Sequence, residues 1–479
     1  MSTEIENPPA REPFLSSSVC GWDLTEDGQS EVMQAMLGHI HPFDGWTALQ
    51  CQLGSLVKEI CLDRGDSPHH HLYEEPIFDY FPLLEYGPKT KYIRDSPVDD
   101  PTEPLLRLTA LLITSPPCKH MPCAQTKRHY MAVKAMFAFM DAQLLNHVPL
   151  VQIQGLIALY EYINGMLDKA HLTISSAVSM ASRIEINISQ IPLDLEWRFC
   201  LMIIDSFISL QTVHRKQGWI PLACPPGHAL EKAVTHYLPS LTTPQGTPRF
   251  DRNCPRVLNF GKQALHCGRI LQNLHDSKRS QRINQQECDF INKEYSKCLN
   301  HCPTEFEGYP SLQTSACLAA SCLFAHHTEM ERLDPFHHQY VLDPGQESLF
   351  QEYRKSTWRS MEKQFKIVIV DDYVVEGWEV DDTFLGFPEA ICLLHDFLLM
   401  TRKPDILADF TTKDQIAAFI PVIRERTENW PAVRAYINQI CNEVGLSQLA
   451  ISECNRNGSY LSSGHFYLFK RDRGEEYES

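Results

Sequence analysis

Apolar residues recur every three or four positions through most of the chain, the period of a helix buried along one face. After a polar, Pro- and Ser-containing start (1–19) that reads as disordered, Val32, Met36 and Ile40, then Leu49, Leu53, Val57 and Ile60, predict helices within 20–60. Residues 62–104 are rich in Pro, Asp and His and read as loop around one apolar island, Ile77–Leu84. From Leu105 to about Leu210 the pattern predicts helix after helix. Pro239, Pro244, Gly246, Pro248 and Pro255 mark 239–256 as a linker, and helical spacing returns through 257–330. A second break at 333–346 carries Asp334-Pro335 and Asp343-Pro344-Gly345. Beyond it come a helix-like stretch (347–366), a β-branched run Ile367–Val370, and helices near 388–402 and 412–443. The end, 473–479, reads as frayed. No repeat of fixed period and no low-complexity tract interrupts this order.

The stretch from Pro149 to Phe207 is the most legible. Proline is tolerated in a first helical turn, where its missing N–H has no partner to lose, so Pro149 predicts a helix start. Ile153, Leu156, Ile157 and Tyr160 then share one face, and Gly165 breaks the run. Asp168 is expected to cap a second helix, whose stripe of Ala170, Ile174, Ala177, Val178 and Ala181 is small enough for close approach by a neighbour. After a turn at Pro192, Asp194 is expected to cap a third helix with Trp197, Leu201, Ile204 and Ile208 on one face. Short connections make the three antiparallel neighbours.

Composition narrows the class. Of 479 residues, 43% are hydrophobic and 22% charged, enough to bury a sizeable core. Lys and Arg number 43 against 60 Asp and Glu, a net charge of −17, which argues against a broad phosphate-binding surface. The first nine residues have neither a basic start nor an apolar run, so they do not read as a signal peptide, and no apolar stretch approaches the ~20 residues of a membrane span. The 17 cysteines are scattered, and reduced thiols in the cytosol or nucleus are the expectation. The nearest pairs, Cys118/Cys123, Cys298/Cys302 and Cys317/Cys322, lack the close spacing of a zinc site; Cys317 and Cys322 read as small apolar residues of a buried helix. The histidines of His69–His71, His326-His327 and His337-His338 are adjacent in sequence and read as solvated or loop residues, so no metal ligand is assigned.

Motifs of known chemistry give little. Nucleophile-elbow, zinc-protease, phosphate-loop and dinucleotide fingerprints do not occur, and no catalytic, cofactor-binding or DNA-binding residue is assigned. Asp371-Asp372-Tyr373-Val374-Val375-Glu376 has the paired carboxylates of a magnesium–diphosphate site, as in terpene synthases, but follows a β-branched run and has no second metal motif; a solvated turn is the simpler reading. Arg198 and Asp205, seven apart, share a helix face; a buried ion pair tying helices together and two side chains with separate partners or water both stay open. His275, Lys278, Arg279 and Arg282 form a short basic cluster, either a weak nuclear-import signal or a solvated face.

One set of segments resembles a family. Val151–Tyr162, then Gly165, Ala170–Ala181 with the following Ser182-Arg183-Ile184-Glu185-Ile186-Asn187, and Glu196–Phe207 followed by Gly218-Trp219-Ile220-Pro221, are similar in order and spacing to the middle homology region of fungal zinc-cluster transcription factors. Ile77–Leu84 is similar to the segment that opens that region, so the resemblance covers about 75–225. Ser179, Glu185 and Asn187 stand where the family has Arg, Gly and His, and only Arg198 remains of its arginine pair. The family's six-cysteine, two-zinc DNA reader has no counterpart before residue 75, where Cys20, Cys51 and Cys61 cannot build it.

The resemblance implies an all-α fold, a multi-helix array of the fungal regulatory-domain type with irregular loops. It divides the chain into N-terminal helices and loop (20–104), a middle homology core (105–332) and a C-terminal helical region (333–472). It implies a nuclear transcriptional regulator of a metabolic or secondary-metabolite gene set, not an enzyme and without a cofactor. Expected partners are other regulators or a second copy, with indirect DNA association, a small-molecule effector and no membrane. An upstream exon carrying the zinc cluster is the other explanation for its absence. The alternatives are an all-α magnesium-dependent prenyl-diphosphate enzyme and a cytosolic interaction scaffold.

Overall fold

The computed structural model describes residues 81–83, 102–114, 124–143, 147–213, 219–242, 254–300, 310–333, 387–401 and 431–444. These residues are all-α: eleven α-helices and two short 3-10 turns, with no β-strand among them. The expected helices within 20–60 and 347–366, the run Ile367–Val370 and the Asp371–Glu376 motif lie outside the described residues.

The helices are α1 (Glu103–Thr114), α2 (Ala124–Gln143), α3 (Val148–Ile163), α4 (Leu167–Ala181), α5 (Ile191–Thr212) and α6 (Ala229–Tyr237), then α7 (Cys254–Ser280), α8 (Gln285–Asn300), α9 (Pro310–Leu333), α10 (Phe387–Thr401) and α11 (Pro431–Val444). Helices α3, α4 and α5 touch one another, as the pattern predicts. Pro149 sits in the first turn of α3. The helix ends on Gly165 at φ 72°, with Gly165 N–H donating to Tyr162 O at 2.9 Å and Met166 N–H to Glu161 O at 2.8 Å. That doubly bonded C-terminus needs a left-handed residue, which glycine adopts without strain. The chain then turns back into α4, whose Ala170, Ile174, Ala177, Val178 and Ala181 are all buried.

Two capping expectations are corrected. The residue before α4 is Met166, and Asp168 lies inside its first turn; the residue before α5 is Gln190, and Pro192 and Asp194 both lie inside that helix. Either carboxylate still favours the helix through the partial positive charge of the N-terminus. The linker is corrected too: Pro239 belongs to a 3-10 turn (Leu238–Leu241) and Pro255 to the first turn of α7, a position where proline costs no hydrogen bond.

Helix α3 is central, touching α1, α2, α4, α5 and α11. Helix α5 touches α3, α4, α6, α7 and α9; α7 packs on α9, α9 on α10, and α10 on α11, which returns to α3. The helices thus close a ring. Phe81 and Leu83, from the predicted apolar island, plug its α3–α5 seam: the Phe81 ring meets Phe207 edge-on at 6.1 Å, and Phe207 lies 5.8 Å from Tyr162.

Two glycines set helix distances. A Cβ on Gly155 of α3 would lie 2.8 Å from Leu201 Cδ2 of α5, and one on Gly261 of α7 would lie 2.5 Å from the Phe199 ring of α5. The Gly261 neighbour is a buried aromatic edge that has no room to move, whereas Gly268, in the same helix, faces nothing within 4 Å. Gly261→Ala should therefore destabilise the protein by about 1–3 kcal/mol through overpacking. Gly268→Ala should be neutral or stabilise it by up to about 1 kcal/mol, because alanine costs less helix entropy. Denaturant unfolding of the two variants checks both signs.

Candidate functional site

Helix α5 is buried on nearly every side yet carries Glu196, Arg198, Asp205, Ser206, Ser209 and Thr212. Arg198 and Asp205 do not pair with each other; seven residues span roughly 10 Å of helix axis, and each charge meets a different element. Arg198, 1% exposed, donates through Nη2 to Ile184 O and through Nη1 to Asp194 O, both at 2.9 Å. Its Nη1 also lies 3.5 Å from the Asp194 carboxylate, and its guanidinium sits 4.2 Å from the Trp197 ring centre. The Arg198 side chain thereby staples the α4–α5 corner.

Asp205 accepts N–H bonds from Ala223 to Oδ1 at 3.0 Å and from Cys224 to Oδ2 at 2.9 Å. Nearby, Ser209 donates to Ile220 O at 3.0 Å, and Thr212 Oγ1 accepts from Ile220 N–H at 3.0 Å. Side chains of α5 thus hold the extended segment 219–224. Burial pushes the Asp205 carboxyl up to about 7, against the downward pull of its two N–H donors. Burial likewise lifts Glu196 to about 7, despite an ion pair with Arg256 of α7 at 2.5 Å.

Segment 224–235, α7 and α8 enclose a cleft of 940 Å³. Arg269 of α7 bonds Glu287 of α8 through both Nε and Nη2, the latter at 2.9 Å, and lies 3.7 Å from the Phe290 ring centre. This two-point grip raises the Arg269 pKa and lowers that of Glu287. Beneath the cleft, Asn273 Oδ1 meets His326 Nε2 of α9 at 2.8 Å and Cys288 Sγ of α8 at 3.7 Å. His327 Nε2 meets Asn292 Oδ1 of α8 at 2.9 Å. The solvated reading of these two histidines is therefore corrected: both are buried in α9, His326 meeting Asn273 of α7 and Cys288 of α8, and His327 meeting Asn292 of α8. Burial lowers the His326 pKa to about 4, so the ring is neutral. His69–His71 and His337-His338 lie outside the described residues.

The basic cluster is only partly a solvated face. Lys278 donates to Val213 O and lies 3.9 Å from Glu329 and 5.1 Å from the Trp219 ring centre, while Arg279 and Arg282 are exposed. His275 packs edge-on against Trp219 at 4.8 Å. Cys317 and Cys322 are buried in α9, as the pattern predicts.

Other polar clusters serve packing. Ser321 Oγ donates to Asp396 Oδ2 at 2.7 Å, and His395 Nδ1 meets Asp396 Oδ1 at 3.3 Å. A nucleophilic serine needs the imidazole on its own hydroxyl, whereas here the carboxylate stands between them and all three are buried. Glu161 of α3, fully buried, accepts from Tyr130 Oη at 2.5 Å and pairs with Lys134 at 3.1 Å, joining α2 to α3. No group of three or more His, Cys, Asp or Glu among the described residues is arranged to hold a metal ion, and no described helix is long and apolar enough to cross a membrane. Compared with known protein families, characterised proteins and solved structures, the chain matches none.

The buried acids and His326 set opposite pH dependences. The folded state holds the Asp205 proton up to about 7, while the unfolded chain releases it near 3.8, so this contribution to stability falls as pH rises across that window. His326 acts the other way: its contribution is complete above 6.5 and is lost as pH falls toward about 4. Asp205→Asn should reduce the first slope, leaving the share of Glu196, and cost about 1–3 kcal/mol, since the amide turns an N–H toward a backbone N–H. Thermal unfolding of wild type and variant from pH 4 to pH 8 reads out both effects.

Proposed function

We propose that this chain is the regulatory body of a fungal transcription regulator, a helical scaffold without a catalytic centre that acts in the nucleus on a metabolic gene set. One observation carries the reading: the separate segments that resemble the family's middle homology region converge on one packed unit. Phe81 of the opening segment meets Phe207 of the third helix. Leu83 approaches Gly155 of the first helix. Arg198 of the third helix binds the carbonyl of Ile184 after the second. Ser209 and Thr212 bind Ile220, in the turn that closes the series. The all-α array of the described residues supports the same reading.

In this proposal the body works through other regulators or a second copy of itself, and its association with DNA is indirect. The net charge of −17 supports indirect contact, because direct affinity for phosphates comes from clustered cations. The switch is conformational: a ligand or partner that prefers one packing of the helices shifts the population toward it. Helix α8 packs on α7 and is held to the body by side-chain links such as Arg269–Glu287 and His327–Asn292, contacts that such a shift would have to remake.

Deleting and overexpressing the gene in its source organism, with sequencing of transcripts, tests this. A defined transcript set should move in opposite directions in the two strains, and a tagged protein should concentrate in the nucleus and occupy promoters of that set. Unchanged transcripts in both strains, with the tag confined to the cytosol, would replace the regulator with the scaffold reading.

A further inference from the structure

We infer that the cleft between segment 224–235, α7 and α8 binds a small organic acid, an apolar skeleton bearing a carboxylate, with the carboxylate held by Arg279 and Arg282. The volume, 940 Å³, falls within the roughly 300–1,000 Å³ typical of small-molecule sites. Met202, Leu265, Ile283 and Phe290 line it, and Phe290 is 40% exposed, a large aromatic surface turned toward solvent at the cleft.

Three acids and three arginines line the cleft, and among the described residues Arg269–Glu287 is the one acid–arginine pair that meets. Glu287 is occupied by Arg269 through two bonds. Glu231 accepts from Gly227 N–H at 3.0 Å and Thr235 Oγ1 at 3.2 Å. Asp276 accepts from Gln272 Nε2 at 3.0 Å and faces His275 Nδ1 at 3.5 Å. The Arg279 and Arg282 side chains have no ion pair among the described residues, although both line the cleft of an acidic chain. The C-terminal charge of α7 accounts for Arg279 in its last turn, but not for Arg282, which lies past the turn at Gln281 (φ 52°). A guanidinium's planar donors match the two oxygens of a carboxylate, and Arg279 and Arg282 both line the cleft. The apolar lining selects for an organic skeleton; a bare phosphate would leave Met202, Leu265 and Phe290 unused.

This inference deepens the regulator reading by naming the class of its signal and where that signal sits. The two fail separately, because binding is measured on purified protein and regulation in the cell. Isothermal titration calorimetry of the full chain, with 2-naphthoate and 4-phenylbutyrate against the corresponding neutral amides, tests it. Each acid should bind saturably and its amide about tenfold more weakly, the usual scale for losing a charged partner. The double substitution Arg279→Gln with Arg282→Gln should bring the acids down to the amides' affinity, with an unchanged thermal midpoint because both side chains are exposed. Phe290→Ala should weaken acids and amides alike. Equal binding of acid and amide to the wild type, no saturable binding of either acid, or undiminished acid binding by the double variant would each overturn it.

Discussion

A helix buried on nearly every side has to dispose of its own charges, and the architecture follows from how α5 does so. Its Glu196, Arg198 and Asp205 each cost several kcal/mol to remove from water if left alone. They are not neutralised against one another. Glu196 goes to Arg256 of α7, Arg198 to the carbonyls that follow α4, and Asp205 to the N–H groups of Ala223 and Cys224. Each buried charge thus joins α5 to a different piece of the chain. Such contacts add little net stability, because desolvation offsets most of the attraction. What they impose is register: a helix rotated by one residue would leave three charges unpaired in an apolar interior. Gly261 acts with them, since it lets α7 approach α5 closely enough for the Glu196–Arg256 pair, while Gly155 sets the α3–α5 distance.

The legible parts of the fold were those governed by local rules. Apolar spacing located α3, α4 and α5, Gly165 their first break, and the alanine stripe their closest packing face. Phe81 and Leu83 stood out as an apolar island in a polar stretch, and both are buried. Sequence and structure part where one residue type serves two positions. Asp168 and Asp194 suit a helix cap and a first turn equally well, and the prolines at 239 and 255 suit both a linker and the start of a helix. Adjacency makes His326 and His327 read as solvated, but they continue a run of small and apolar residues in α9, and that run is the signal for burial.

The candidate site was not legible, for a physical reason. Its cleft joins Glu231 of α6 to Arg269, Arg279 and Glu287 of two later helices, and nothing in local periodicity states which helix ends meet. The basic cluster His275–Arg282 was visible, but its division into a packed lysine and two solvent-facing arginines depends on Val213, Trp219 and Glu329, brought in from distant parts of the chain. The Arg198–Asp205 question was open in sequence because same-face spacing does not identify a partner.

The closure of the helix ring has a consequence for how the molecule is made. The face of α3 carrying Tyr162 is covered by Cys392 of α10 and Tyr436 of α11, which leave the ribosome long after α3 itself. Until then the nascent chain can form its hairpin of α3 and α4 while the patch of α3 around Tyr162 lacks its cover. Contacts so distant in sequence close slowly, and exposed patches of that kind recruit chaperones or cause aggregation. Closing the ring is therefore a late event in synthesis, set by its topology.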